Sequence, residues 1–192
     1  MVAQALIYVQ IALILLSWII TAAKPQLHLR SLLSSEGLRW LFGALTNNLT
    51  TPVLTCLLLL GMAHGAVVES GVLNVFRPST FRQRFAQRVV IAEVVIFLVV
   101  ILLLTAVPHA VLLSATGVLI PSSFTDGILP VLAIFVMFVA STYGMISGFL
   151  PTVVNVIEAI SSGIVRWRWP ILLYFLLAEL YASFLYVFGP VM

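Results

Sequence analysis

Five strongly apolar stretches, each close to the roughly 20 residues that a helix needs to cross a bilayer, fill most of this chain. Of its 192 residues, 62% are hydrophobic and 8% are charged. A soluble domain carries about a quarter of its residues as charges, so this surface cannot be meant for water. Mean hydropathy is +1.22. In hydrocarbon only helices or closed barrels satisfy every backbone N–H and C=O, and the runs are of helical length. The expected fold is an all-α integral membrane protein, a single transmembrane domain over 1–192 with no room for a separate soluble one.

The expected crossings are 2–23, 51–75, 89–107, 126–149 and 169–189. Lys24-Pro25 ends the first, Pro108 stops the third, and Trp169-Pro170 opens the fifth, which closes near Gly189-Pro190. The connection 109–123 is weakly polar and holds Gly117 and Pro121. Two further segments are amphipathic, 35–49 and 151–165, and are expected as interfacial helices. In the first, Leu38, Leu41, Phe42, Leu45 and Leu49 recur at helical spacing, with Arg39, Asn47 and Asn48 off that face and Trp40 suited to the interface. In the second, Val153, Ile157, Ile160 and Ile164 oppose Thr152, Asn155, Glu158 and Ser162. The first run has no Lys or Arg before it and is longer than a signal-peptide core, so it is expected to be a retained span.

Charge is concentrated between spans. Arg77, Arg82, Arg84 and Arg88 crowd a stretch expected to be a loop, 76–88, where they would meet lipid headgroups beside the aromatic anchors Phe81 and Phe85. With the N-terminus cytoplasmic, these four and Arg166 and Arg168 fall inside, against Lys24, Arg30 and Arg39 outside. The positive-inside rule then predicts a bacterial inner-membrane protein with its C-terminus periplasmic. Nucleic-acid binding would need a basic, aromatic-studded soluble face, which the chain lacks. Its one cysteine, Cys56, lies in an apolar run and packs as a small hydrophobe. The sequon at Asn48 is expected to be a chance match.

Ionisable groups in a span usually face protein or a water-filled path. Glu179, flanked by Leu176, Leu177 and Leu180, and His64 are the two mid-span cases. Together they would bind or relay a proton; alternatively, each hydrogen-bonds across a helix interface. Glu69 and Glu93 are expected to reach the arginines, and Asp126 to stabilise a helix N-terminus. Gly61 and Gly65, and again Gly144 and Gly148, have the spacing that lets helix backbones approach, within one chain or between two. No hydrolytic, nucleotide or metal motif occurs, so catalytic residues, metal ligands and cofactors are all expected to be none.

The stretch Ser31-Leu-Leu-Ser-Ser-Glu-Gly-Leu-Arg-Trp-Leu41, with an apolar helix ending Val68-Glu-Ser-Gly-Val72, resembles the N-terminal part of the p-aminobenzoyl-glutamate (AbgT-type) transporters. Ser123-Phe-Thr-Asp-Gly-Ile-Leu-Pro130 with Thr142-Tyr-Gly-Met-Ile-Ser-Gly148 resembles a second block of that family. Ala178-Glu-Leu-Tyr-Ala-Ser-Phe184 takes the place of a third. In the family a long section carrying a re-entrant hairpin with a Ser-Ser-Asp motif separates the blocks. Here that motif is missing, the chain stops before a second hairpin, Glu179 replaces a glutamine, and Leu185 stands where asparagine is expected. The resemblance implies a shortened member that keeps the static, homodimeric scaffold without the transport domain.

Two functions are therefore expected. The first is a non-enzymatic inner-membrane scaffold that assembles with itself or with another integral membrane protein. In that case His64, Ser141, Thr142 and Glu179 mark the covered surface. The second is a minimal ion-coupled transporter of small anionic or aromatic solutes, acting as an oligomer around His64 and Glu179. A more distant third is a sensor or assembly factor that sets its arginines on anionic lipids.

Overall fold

A computed structural model describes residues 1–24, 29–106 and 123–189. Among these residues the regular structure is all helical: α1 (Val2–Ala23), α2 (Ser35–Leu49), α3 (Pro52–Ser70), α4 (Phe81–Ala106), α5 (Ser123–Ser147), α6 (Val153–Arg166) and α7 (Arg168–Phe188). A short 3-10 turn, Val72–Asn74, follows α3. Five helices, α1, α3, α4, α5 and α7, are long and apolar enough to cross a membrane, and α2 and α6 are the shorter amphipathic pair. The chain is an integral membrane protein. Pro25, the stop at Pro108, the connection through Gly117 and Pro121, and Pro190 lie outside the described residues, as does the Asp126 side chain.

Two boundaries differ from the sequence expectation, and both have local causes. The second span does not run to residue 75, because Gly71 takes φ 69° and turns the chain into the 3-10 segment after Ser70. The third starts at Phe81, so Arg82, Arg84 and Arg88 stand on a helix and only Arg77 precedes it. A capping box explains the early start. Thr80 Oγ1 accepts from the Gln83 N–H at 3.3 Å, and Gln83 Oε1 accepts from the N–H of Ser79 at 2.8 Å and of Thr80 at 3.2 Å.

Internal contacts gather into two compact units, residues 1–55 with 168–192, and residues 56–167. In the first unit α7 packs against α1 and α2. Ser17 is buried on α1; its hydroxyl donates to the Ile14 carbonyl at 2.8 Å and accepts from the Leu32 N–H at 3.2 Å, tying the chain before α2 back onto α1. Ser34 caps α2 by accepting from the Gly37 N–H at 3.0 Å. Trp40 stacks on Tyr186 with centroids 4.3 Å apart, and the Arg30 guanidinium lies 5.5 Å from the Tyr186 ring centroid. Tyr174 donates to the Leu49 carbonyl at 3.2 Å and accepts from Thr51, which pins the end of α2 to α7.

In the second unit α4 and α5 pack along their length. Their core is Val75, Ala86, Val90, Val139 and a fully buried Tyr143, extended by Phe97 stacked on Phe135 at 3.8 Å. The C-terminal end of α5 is closed by Gly148 at φ 91°, while the Leu150 N–H reaches back to the Gly144 carbonyl at 2.9 Å. Arg82, from the first turn of α4, donates through Nε to the Ile146 carbonyl at 3.2 Å, placing a cation at the negative end of α5.

Candidate intramembrane polar sites

The mid-span carboxyl Glu179 belongs to the first unit. Leu176, Leu177 and Leu180 flank it on α7, and both carboxyl oxygens are buried and have no protein hydrogen-bond partner. The Asn48 side chain on α2 faces it, with Nδ2 itself buried and unpartnered. One turn further on, the buried Ser183 accepts from Gln10 Nε2 of α1 at 2.8 Å, leaving Gln10 Oε1 buried without a partner. Glu179 and Ser183 stand four residues apart and so share a face of α7. The unit thus places four polar side chains from three helices on α7 or against it. Such a carboxyl can hold a proton, or accept from any donor brought to it.

The second polar site lies in the unit of residues 56–167. His64 on α3 accepts at Nδ1 from Trp167 Nε1 at 3.2 Å, with ring centroids 6.2 Å apart. That bond occupies the Nδ1 lone pair, so in the neutral ring the proton sits on Nε2. Next to it, Arg166 pairs with Glu69, so Glu69 is held by α6 and not by the arginines of α4. Glu93 on α4 faces Thr142 on α5. A cleft of about 380 Å³ opens between Glu69, Phe149, Leu150, Asn155, Glu158 and Ser162.

The glycines fix this geometry. A methyl group at Gly65 would lie 2.5 Å from the Ala159 carbonyl oxygen and 2.6 Å from Cα of Gly163. A methyl at Gly61 would lie 3.3 Å from the Trp167 side chain. The Gly61–Gly65 pair on α3 therefore meets Ala159 and Gly163 on α6, backbone against backbone. Gly144 gives room to Leu150 and Ser70, and Gly148 is the helix cap already described.

His64 thus pairs with Trp167 within its own unit, while Glu179 faces Asn48 within its own unit without a hydrogen-bond partner. Among the described residues no three His, Cys, Asp or Glu side chains gather as a metal set would require. Of the arginines, Arg82 is engaged with α5, while Arg77, Arg84 and Arg88 are exposed. The sequence reading passed over Gln10 and Trp167, and gave Asn48 only a place off the apolar face of its helix and a chance sequon. Gln10 carried a usable signal, an amide well inside an apolar run.

No protein-family model and no curated protein matches this sequence. A solved structure does, the YdaH transporter of Alcanivorax borkumensis, over 96% of this chain and 70% of the YdaH chain. The TM-score is 0.76. In fold, the chain resembles YdaH. Sequence identity with YdaH is 15%, so the likeness lies in the arrangement of helices. The two share an arrangement of membrane helices.

Proposed function

We propose that this protein is a non-enzymatic scaffold subunit of the bacterial inner membrane, a distant and shortened relative of the AbgT-type transporters. It assembles with itself or with another integral membrane protein, with its N-terminus in the cytoplasm and its C-terminus in the periplasm. The observation that carries this reading is the match to YdaH along nearly the whole chain, 96% of it. The close backbone crossing of Gly61 and Gly65 with Ala159 and Gly163 agrees with a static element, since it leaves no side-chain layer for helices to slide on.

Extraction in mild detergent, followed by native mass measurement and identification of what co-purifies, tests it. A stoichiometric second membrane protein or a stable homo-oligomer supports the scaffold. A monodisperse monomer from native membranes removes it.

One observation favours the second reading, a minimal ion-coupled transporter of small anionic or aromatic solutes. Glu179 is a buried carboxyl without a hydrogen-bond partner, the kind of group that a proton-coupled path uses. On that reading Glu179→Gln abolishes solute movement by the purified protein in vesicles; on the scaffold reading assembly survives the change.

A further inference from the structure

The start of α4 carries a surface that neither functional reading uses. From Phe81 the helix runs 26 residues, about 39 Å at 1.5 Å per residue. The hydrocarbon core is about 30 Å thick, and the uncharged run after Arg88 is already close to that length apart from Glu93. The first two turns therefore stand in the headgroup region. On those turns Phe81, Arg84, Phe85 and Arg88 follow the i, i+3, i+4, i+7 pattern and occupy one face. Ala86 and Val90 take the opposite, buried face in the core with α5. Phe81 is 85% exposed and Phe85 54% exposed, while Arg84 and Arg88 are exposed beside them. Among the described residues the one ion pair is Arg166 with Glu69, and none of their carboxylates pairs with these two arginines or with Arg77.

We propose that Arg84 and Arg88, with Arg77 and the rings of Phe81 and Phe85, form a binding surface for an anionic phospholipid. Its phosphate would sit on the guanidinium groups, and its upper acyl chains would lie against the aromatic rings. Charge decides the occupant. Adjacent fixed cations favour an anionic headgroup over a zwitterionic one. Aromatic side chains interleaved at headgroup depth suit a lipid, which has an apolar part, better than a free anion. Arg82 is excluded from the surface despite its place in the same cluster, because its guanidinium is turned to Ile146 on α5.

Lipid retention tests the proposal. The protein is reconstituted into nanodiscs of phosphatidylcholine with one fifth phosphatidylglycerol, re-extracted, and its retained lipids are quantified by mass spectrometry. Wild type is expected to retain phosphatidylglycerol preferentially. Arg84→Gln with Arg88→Gln should lower that preference roughly 30-fold, the equivalent of about 2 kcal/mol at ~1 kcal/mol per arginine. Arg82→Gln should leave it unchanged. Undiminished preference in the double variant overturns the proposal, as does release of the lipid by millimolar inorganic phosphate, which would mark a free-anion site. If the double variant does not fold, salt titration of wild type decides: preference that persists undiminished at high ionic strength overturns the proposal, and its loss supports it.

Discussion

Arg82 Nε on α4 lies 3.2 Å from the carbonyl oxygen of Ile146, in the last turn of α5. This bond joins two helices that are also packed through Val90, Val139 and Tyr143. It neutralises part of a helix end that would otherwise present unpaired carbonyls.

Removing that cation should lower stability modestly. Arg82→Gln is expected to lose about 0.5–1 kcal/mol, and Arg84→Gln to stay within about 0.5 kcal/mol of wild type, since Arg84 has no such partner. Thermal unfolding of the purified variants in one detergent compares the two. Equal losses would show that the Ile146 contact contributes nothing.

A second contrast comes from glycines. Gly65→Ala would drive a methyl into the backbone of α6 and should destabilise by about 1–3 kcal/mol. Gly43→Ala, on α2 with nothing within 4 Å of the new methyl, should stabilise by up to about 1 kcal/mol through helix propensity. Unfolding midpoints of opposite sign are the expected result, and a neutral Gly65→Ala would refute the close crossing.

Glu179→Gln keeps the volume of the side chain and removes a carboxyl that has no protein hydrogen-bond partner. The variant should fold with a stability no lower than that of wild type, within about 1 kcal/mol. A large loss of stability would mean that the carboxylate is held by a partner and is structural.

His64 and Trp167 should be energetically coupled. Trp167→Phe and His64→Leu, alone and together, form a double-mutant cycle whose interaction energy is expected near 1 kcal/mol, the usual net value of a neutral hydrogen bond. A coupling of zero would remove the bond between Nε1 and Nδ1.

The helices that span the membrane were readable because hydropathy is a local property. Val2–Ala23 needed nothing beyond its own composition, and the amphipathic faces of α2 and α6 followed from periodicity alone. The start of α4 was misread for an instructive reason. Four arginines in a short stretch suggested a loop, while Thr80 and Gln83, at the spacing of a capping box, carried the stronger local signal. The polar pairings were beyond local reading. Gln10 meets Ser183 across a separation of 173 residues, and Trp167 meets His64 across 103. Nothing in either neighbourhood specifies the other, so only the packed helices bring them together.

The crossing of α3 and α6 restricts the motions open to this protein. Where two backbones touch without intervening side chains, a small axial shift would carry a Cβ into a gap that admits none. A shift of one full glycine step, about 6 Å, is blocked as well, because it would bring Leu57 to the place of Gly61 or Glu69 to the place of Gly65. Piston-like sliding in fractions of a turn is therefore forbidden to this pair. It behaves as a fixed joint, and any gradual movement of this unit must be taken up by bending elsewhere.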